Sequence, residues 1–147
     1  MRRVRRGFAA AAALMTASAL LAACGSGSGS ADVLTWYINP DAGGQAKVAE
    51  NCSTDAYKIA VQVLPQNATE QRVQLSRRLA AEDPEIDIMS IDPPYTAEFA
   101  NAGFLAPIPD DLQGKLKQQS FKGAVDAATW DGELVVAPFW SNTQVLW

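Results

Sequence analysis

The chain is 147 residues long, with sixteen acidic residues, twelve basic ones and no histidine, a size that usually means a single domain. Four of the basic residues (Arg2, Arg3, Arg5 and Arg6) and none of the acidic ones precede Cys24, so the chain from Cys24 onward has a net charge of −8 and no basic footprint for nucleic acid. Without histidine, the usual general base of a serine or cysteine triad and the commonest metal ligand are missing too, so no metal site, no cofactor and no catalytic constellation are expected.

The leading arginines are followed by an apolar, alanine-rich run from Phe8 to Ala23. It falls short of the roughly twenty apolar residues that a membrane-spanning helix needs, and residues 1–23 are predicted to be a signal peptide. Leu21-Ala22-Ala23-Cys24 resembles the lipobox of bacterial lipoproteins, in which small residues admit the peptidase and the cysteine thiol receives the lipid. Cys24 is then the lipidated N-terminus. Residues 24–31 form a Gly-Ser tether that cannot bury a core, and lipid plus tether predict a domain held at the extracytoplasmic face of the cell membrane. The paired arginines leave general secretory and twin-arginine export both open. Cys52, the other cysteine, reads either as a small buried hydrophobe at a helix end or as half of a disulfide to another chain.

From residue 32 the pattern alternates strand and helix. Val33 to Ile38 is β-rich and is stopped by Asn39-Pro40-Asp41 and Gly43-Gly44, and Gln45 to Cys52 carries Ala46, Val48, Ala49 and Cys52 at helical spacing. Tyr57 to Leu64 alternates Ile59, Val61 and Val63, and Asn67-Ala-Thr-Glu70 matches a capping box that opens a helix to about Glu82. Arg77, Arg78, Glu82, Asp83 and Glu85 read as its solvated end. A third strand is predicted over Ile86 to Ile91, broken at Asp92-Pro93-Pro94, with a short helix from Thr96 to Ala102 that Gly103 terminates. Asp110 to Gln119 is a further helix. Asp131-Gly132 is a hairpin turn leading into Leu134 to Ala137 and Pro138 to Trp140, and Asn142 to Trp147 is strand-like and stops abruptly. Such alternation predicts an α/β fold, a mainly parallel sheet flanked by helices, with the ligand at the carboxyl ends of the strands.

Several of these segments resemble one family. The lipobox and tether, Leu34-Thr-Trp-Tyr37, Pro84-Glu-Ile-Asp-Ile88 leading to Asp92, Gly103-Phe-Leu-Ala-Pro-Ile108 and Asp131-Gly-Glu-Leu-Val-Val-Ala-Pro138 are similar, in order and spacing, to the sugar-binding lipoproteins of ABC importers (solute-binding protein family 1). Glu70 to Leu79, Thr96 to Ala100 and Asn142 to Trp147 are nearest to those that bind trehalose. The resemblance implies two α/β lobes joined by crossing strands, a disaccharide enclosed between them, and a closed form that docks on the permease subunits. Residues 32–147 would be the N-terminal lobe of that periplasmic-binding-protein-like fold, incomplete and ending at the first hinge crossing, with the second lobe missing.

A sugar presents hydroxyls that donate and accept and apolar C–H faces, so its site needs carboxylates, amides and aromatic rings. Asp92, directly after the third strand, fits, with an N-cap role for the next helix as the competing reading. Both Asp92 and Asn142 match positions where the resemblance implies sugar ligands; Asn142 reads otherwise as a residue that fixes the crossing backbone. Asn39 and Asp41 lie on the first strand-end loop, where turn chemistry accounts for them equally well. Gln71 is within reach of the cleft or on a solvated helix face. Trp36, Trp130 and Trp140 are stacking candidates, with Trp140 preferred because it neighbours the crossing and the others competing with core roles. Two readings outside the binder class are a glycosidase using Asp41 and Asp92, for which no spacing fixes a separation, and a surface lipoprotein without a small ligand.

Overall fold

The computed structural model describes residues 31–139. Strand β1 (Asp32–Ile38) leads into helix α1 (Gly44–Cys52), strand β2 (Tyr57–Val63) into helix α2 (Ala68–Ala80), and strand β3 (Ile88–Met89) into a 3-10 turn over Pro93–Tyr95 and helix α3 (Thr96–Asn101). The three strands form one sheet in the order β2-β1-β3, with β1 and β3 parallel and Trp36 opposite Ile88 and Tyr37 opposite Met89. The protein is α/β, a parallel sheet flanked by helices, as its alternating pattern predicts.

Period two along β1 sends its side chains to opposite faces of the sheet, and each face is covered. Tyr37 packs with Leu64, Leu75 and Phe99 under α2 and α3, and partly buried Leu79, Met89 and Phe104 extend that cluster. Trp36 and Ile38 point the other way and pack with Ala49 of α1 and with Ile59 and Val61 of β2. Each helix of these units has a local cause. At α2, the Asn67 side chain accepts from the backbone N–H groups of Thr69 and Glu70 at 2.9 and 3.2 Å, which satisfies donors that the first turn leaves orphaned. At the end of α3, Gly103 has φ of +72°, the left-handed conformation that lets the chain leave the helix.

Beyond these units come helices α4 (Asp110–Gln119) and α5 (Lys122–Ala127) and a hairpin of strands β4 (Thr129–Trp130) and β5 (Glu133–Leu134). Asp131 and Gly132 form its turn at φ of +50° and +84°. Two successive positive values match the right-handed twist of paired strands, which is why Asp-Gly is found there.

Four sequence expectations need correction. The third strand is two residues long rather than six: Asp87 lends a side-chain oxygen to the Thr35 N–H at 2.7 Å where a regular ladder would use a carbonyl. The strand predicted to run to Ala137 stops at Leu134: the Val135 N–H still reaches the Ala128 carbonyl opposite it at 3.0 Å, but the Val136 N–H turns to the same carbonyl at 3.4 Å rather than carrying the ladder on. The charged end of α2 is not simply solvated: Arg78 pairs with Asp83 at 2.6 Å and lies 5.2 Å from the centre of the Tyr37 ring, while the N–H of Glu85, then Arg78, hold the Asp83 carboxyl below its ordinary range. Cys52 is exposed rather than buried. Helix α5 was not expected at all. No helix among the described residues is long and apolar enough to cross a membrane. The signal peptide, Cys24, Trp140 and the segment from Asn142 to Trp147 lie outside the described residues.

Candidate functional site

In a parallel sheet all carboxyl ends lie on one edge, and the loops that leave them form the usual ligand crevice. Here that edge is built by the loop from β1 to α1, the start of α2 and the segment that follows β3. A fully buried side chain, Gln45, ties the first and last of these together. Its Nε2 donates to the Asn39 carbonyl at 3.2 Å and to Asp41 Oδ2 at 3.3 Å, and its Oε1 accepts from the Ser90 hydroxyl. Ser90 Oγ in turn accepts from Trp36 Nε1 at 3.1 Å, while its backbone N–H donates to the Tyr37 carbonyl at 2.8 Å. The ends of β1 and β3 are thus held by a chain of hydrogen bonds that runs from the indole to the first loop.

The residues singled out in the sequence fall into distinct positions on this frame. Asp41 caps α1: its Oδ1 accepts from the Gly43 N–H at 2.7 Å and its Oδ2 from the Gln45 N–H at 3.1 Å. The N–H of Gln45, then that of Gly43, hold its carboxyl below the usual range, since hydrogen bonds to the charged form favour it. Gln71, expected on a solvated face or in the cleft, is buried, and its Nε2 donates to the Pro65 carbonyl at 2.7 Å, closing the loop between β2 and α2. Trp36 is a core residue, 8% exposed, with the Phe139 ring edge-on at 6.0 Å between centroids. Trp130 is exposed and sits on the hairpin.

Asn39 and Asp92 differ from the rest. The Asn39 backbone carbonyl is held by Gln45, whereas its Oδ1 is buried and has no hydrogen-bond partner among the described residues. Asp92 precedes the 3-10 turn without the side-chain cap expected as its competing role; only its carbonyl is used there, accepting from the Tyr95 N–H at 2.9 Å. The turn behind it is rigid for two reasons. Pro93 and Pro94 fix the backbone, and Tyr95 lies 5.9 Å from the Arg72 guanidinium, which is itself held by Glu98 through two contacts of 2.6 Å. The structure therefore brings Asn39 and Asp92 to neighbouring strand ends, as two acceptors whose side chains lack internal donors, and gives Asp41 and Gln71 to the scaffold.

Sequence reasoning passed over Gln45 and Ser90. One signal was available: Gln45 and Ala49, four residues apart, occupy the buried stripe of α1, and a polar residue in such a stripe is retained only with hydrogen-bond partners.

A cavity of about 490 Å³ lies elsewhere, over the α2 face of the sheet, lined by Thr35, Tyr37, Gln62, Arg78 and Asp87 among others. Of its charged groups, Arg78 pairs with Asp83 and Asp87 accepts the Thr35 N–H, leaving Glu85 without an ion-pair partner among the described residues, so it is the weaker candidate despite its size. Among the described residues no group of three or more cysteine, aspartate or glutamate side chains is placed to hold a metal ion. No family model matches the chain.

Proposed function

We propose that this chain is the ligand-capturing N-terminal lobe of a lipid-anchored solute-binding protein that takes an extracellular sugar, trehalose or a related disaccharide, and delivers it to the permease subunits of an ABC importer. The observation that carries the reading is that Asn39 and Asp92 follow the neighbouring parallel strands β1 and β3 at their carboxyl ends. Both offer acceptors that nothing among the described residues satisfies, and the hydroxyls of a sugar supply donors. The acidic chain supports a neutral ligand over an anionic one, because a crevice lined by carboxylates repels anions. The alternation of strand and helix and the lipobox agree with the same class. Asn142 and Trp140 belong to the proposed site on the sequence resemblance alone.

The test is calorimetric titration of the protein, as its host makes it, with trehalose and a panel of other disaccharides. Asp92→Ala removes an acceptor and strands hydroxyl donors, so it should weaken binding by about 2 kcal/mol; Asn39→Ala should weaken it as well, and both variants should keep their fold. A flat titration across the panel, or release of monosaccharide during it, would overturn the proposal, the second outcome in favour of a glycosidase.

A further inference from the structure

Away from the sheet edge, the β4–β5 hairpin overhangs a groove of about 380 Å³. Half-buried Leu105 and Ile108 and buried Leu134 give it an apolar floor, and exposed Trp130, Asp131 and Glu133 stand at its margin. The hairpin register sets Trp130 opposite Glu133, which puts the indole and the carboxylate side by side on one face, with Asp131 next to them in the turn. Trp130 is 41% exposed. Neither carboxylate has an ion-pair partner among the described residues, and no basic residue lines the groove.

We propose that this groove docks a basic segment of a partner protein. An Arg or Lys of the segment lies over the Trp130 ring between Asp131 and Glu133, and an adjacent apolar side chain enters toward Leu134. An indole face attracts a cation, two uncompensated carboxylates reinforce the attraction, and the floor removes the neighbouring side chain from water. The net charge of −8 beyond the leader draws a basic partner in the same sense. None of this depends on the sugar reading.

The purified protein is titrated with a capped Leu-Arg-Leu-Arg-Leu peptide and with its Leu-Glu-Leu-Glu-Leu counterpart, following calorimetry and tryptophan fluorescence. The arginine peptide should bind with a Kd on the order of 0.1–1 mM that rises with salt, and the glutamate peptide should not bind. Trp130→Ala should weaken binding about fivefold. Because that change can also disturb the hairpin, Glu133→Gln and Asp131→Asn, which keep shape and suit their backbone positions, should each weaken it about threefold. No binding of the arginine peptide, equal binding of the glutamate peptide, or indifference to both carboxylate variants overturns the proposal. So does perturbation of Trp130 by trehalose or by self-association instead, since the groove then has another occupant. Asp92→Ala should leave peptide binding unchanged, so that failure here and failure of the sugar reading are separate results.

Discussion

Replacing Gln45 by leucine tests how the carboxyl edge of the sheet is held. The side chain is fully buried, and leucine is close to it in volume, so the variant creates little cavity and what changes is hydrogen bonding. The Asn39 carbonyl loses its donor at 3.2 Å, Asp41 loses one of its contacts at 3.3 Å, and the Ser90 hydroxyl loses its acceptor. Two buried groups left unpaired cost about 1–3 kcal/mol each, and the greater apolarity of leucine offsets roughly 1–2 kcal/mol of the total. A net loss of about 2 kcal/mol is expected, which for a unit of this size lowers Tm by roughly 8–10 °C. Urea and thermal unfolding would measure it. Ser90→Ala removes the other end of the same contact, so the double variant should lose about 1 kcal/mol less than the two single losses added. A Gln45→Leu protein as stable as its parent, or strict additivity with Ser90→Ala, would show that this network does not hold the edge.

Other outcomes follow from single contacts. Asn67→Ala removes the side-chain cap of α2 and should cost about 1 kcal/mol in urea unfolding, whereas Asn67→Asp should be nearly neutral. The Asp41 and Asp83 carboxyls are both held below their ordinary values, so the stability they contribute is present above about pH 4 and is lost as pH falls through their folded-state values; the urea midpoint should drop over that acid range, and Asp41→Asn should flatten part of the drop. Gly132→Ala forces a side chain onto φ of +84° and should cost about 1 kcal/mol by thermal unfolding. Cys24→Ala should abolish metabolic labelling by a fatty acid and retention in the membrane fraction, and a labelled variant would remove the lipid anchor from the account.

The elements that sequence reasoning located well are those with a local cause. Alternating Ile59, Val61 and Val63 mark β2, Asn67 marks the start of α2, Gly103 the end of α3 and Asp131-Gly132 the hairpin, and each signal operates within a few residues. The errors occur where distant groups decide. The length of β3 depends on Asp87 reaching Thr35, 52 residues away, and the end of β5 depends on the Ala128 carbonyl. At the site, the sequence could nominate Asn39, Asp41 and Asp92 as polar residues on strand-end loops and Gln71 on the first turn of the second helix. It could not rank them, because their roles turn on which oxygens the backbone already uses: both of Asp41 and neither of Asp92's side chain among the described residues. The buried link from Gln45 to Ser90 spans 45 residues and had only the weak signal of a polar residue in an apolar stripe.

Hydrogen-bond accounting separates the cavity over the α2 face from the carboxyl edge of the sheet. Over the α2 face, the cavity of about 490 Å³ is lined largely by groups already engaged: Arg78 binds Asp83 and rests on the Tyr37 ring, and Asp87 takes the Thr35 N–H, while the Glu85 carboxylate has no ion-pair partner among the described residues. A ligand entering there would have to break contacts already made. At the carboxyl edge, Asp41 and Gln71 are likewise engaged, but Asn39 Oδ1 and the Asp92 carboxylate are not. Asn39 Oδ1 is buried without a donor, which costs about 1–3 kcal/mol, while the half-buried Asp92 precedes a turn fixed by Pro93 and Pro94. On the proposed reading, a molecule that brings hydroxyl donors would recover that cost on binding. On the sugar reading proposed above, a polyol would find its acceptors at the carboxyl edge rather than in the cavity over the α2 face, where Arg78 and Asp87 are already engaged.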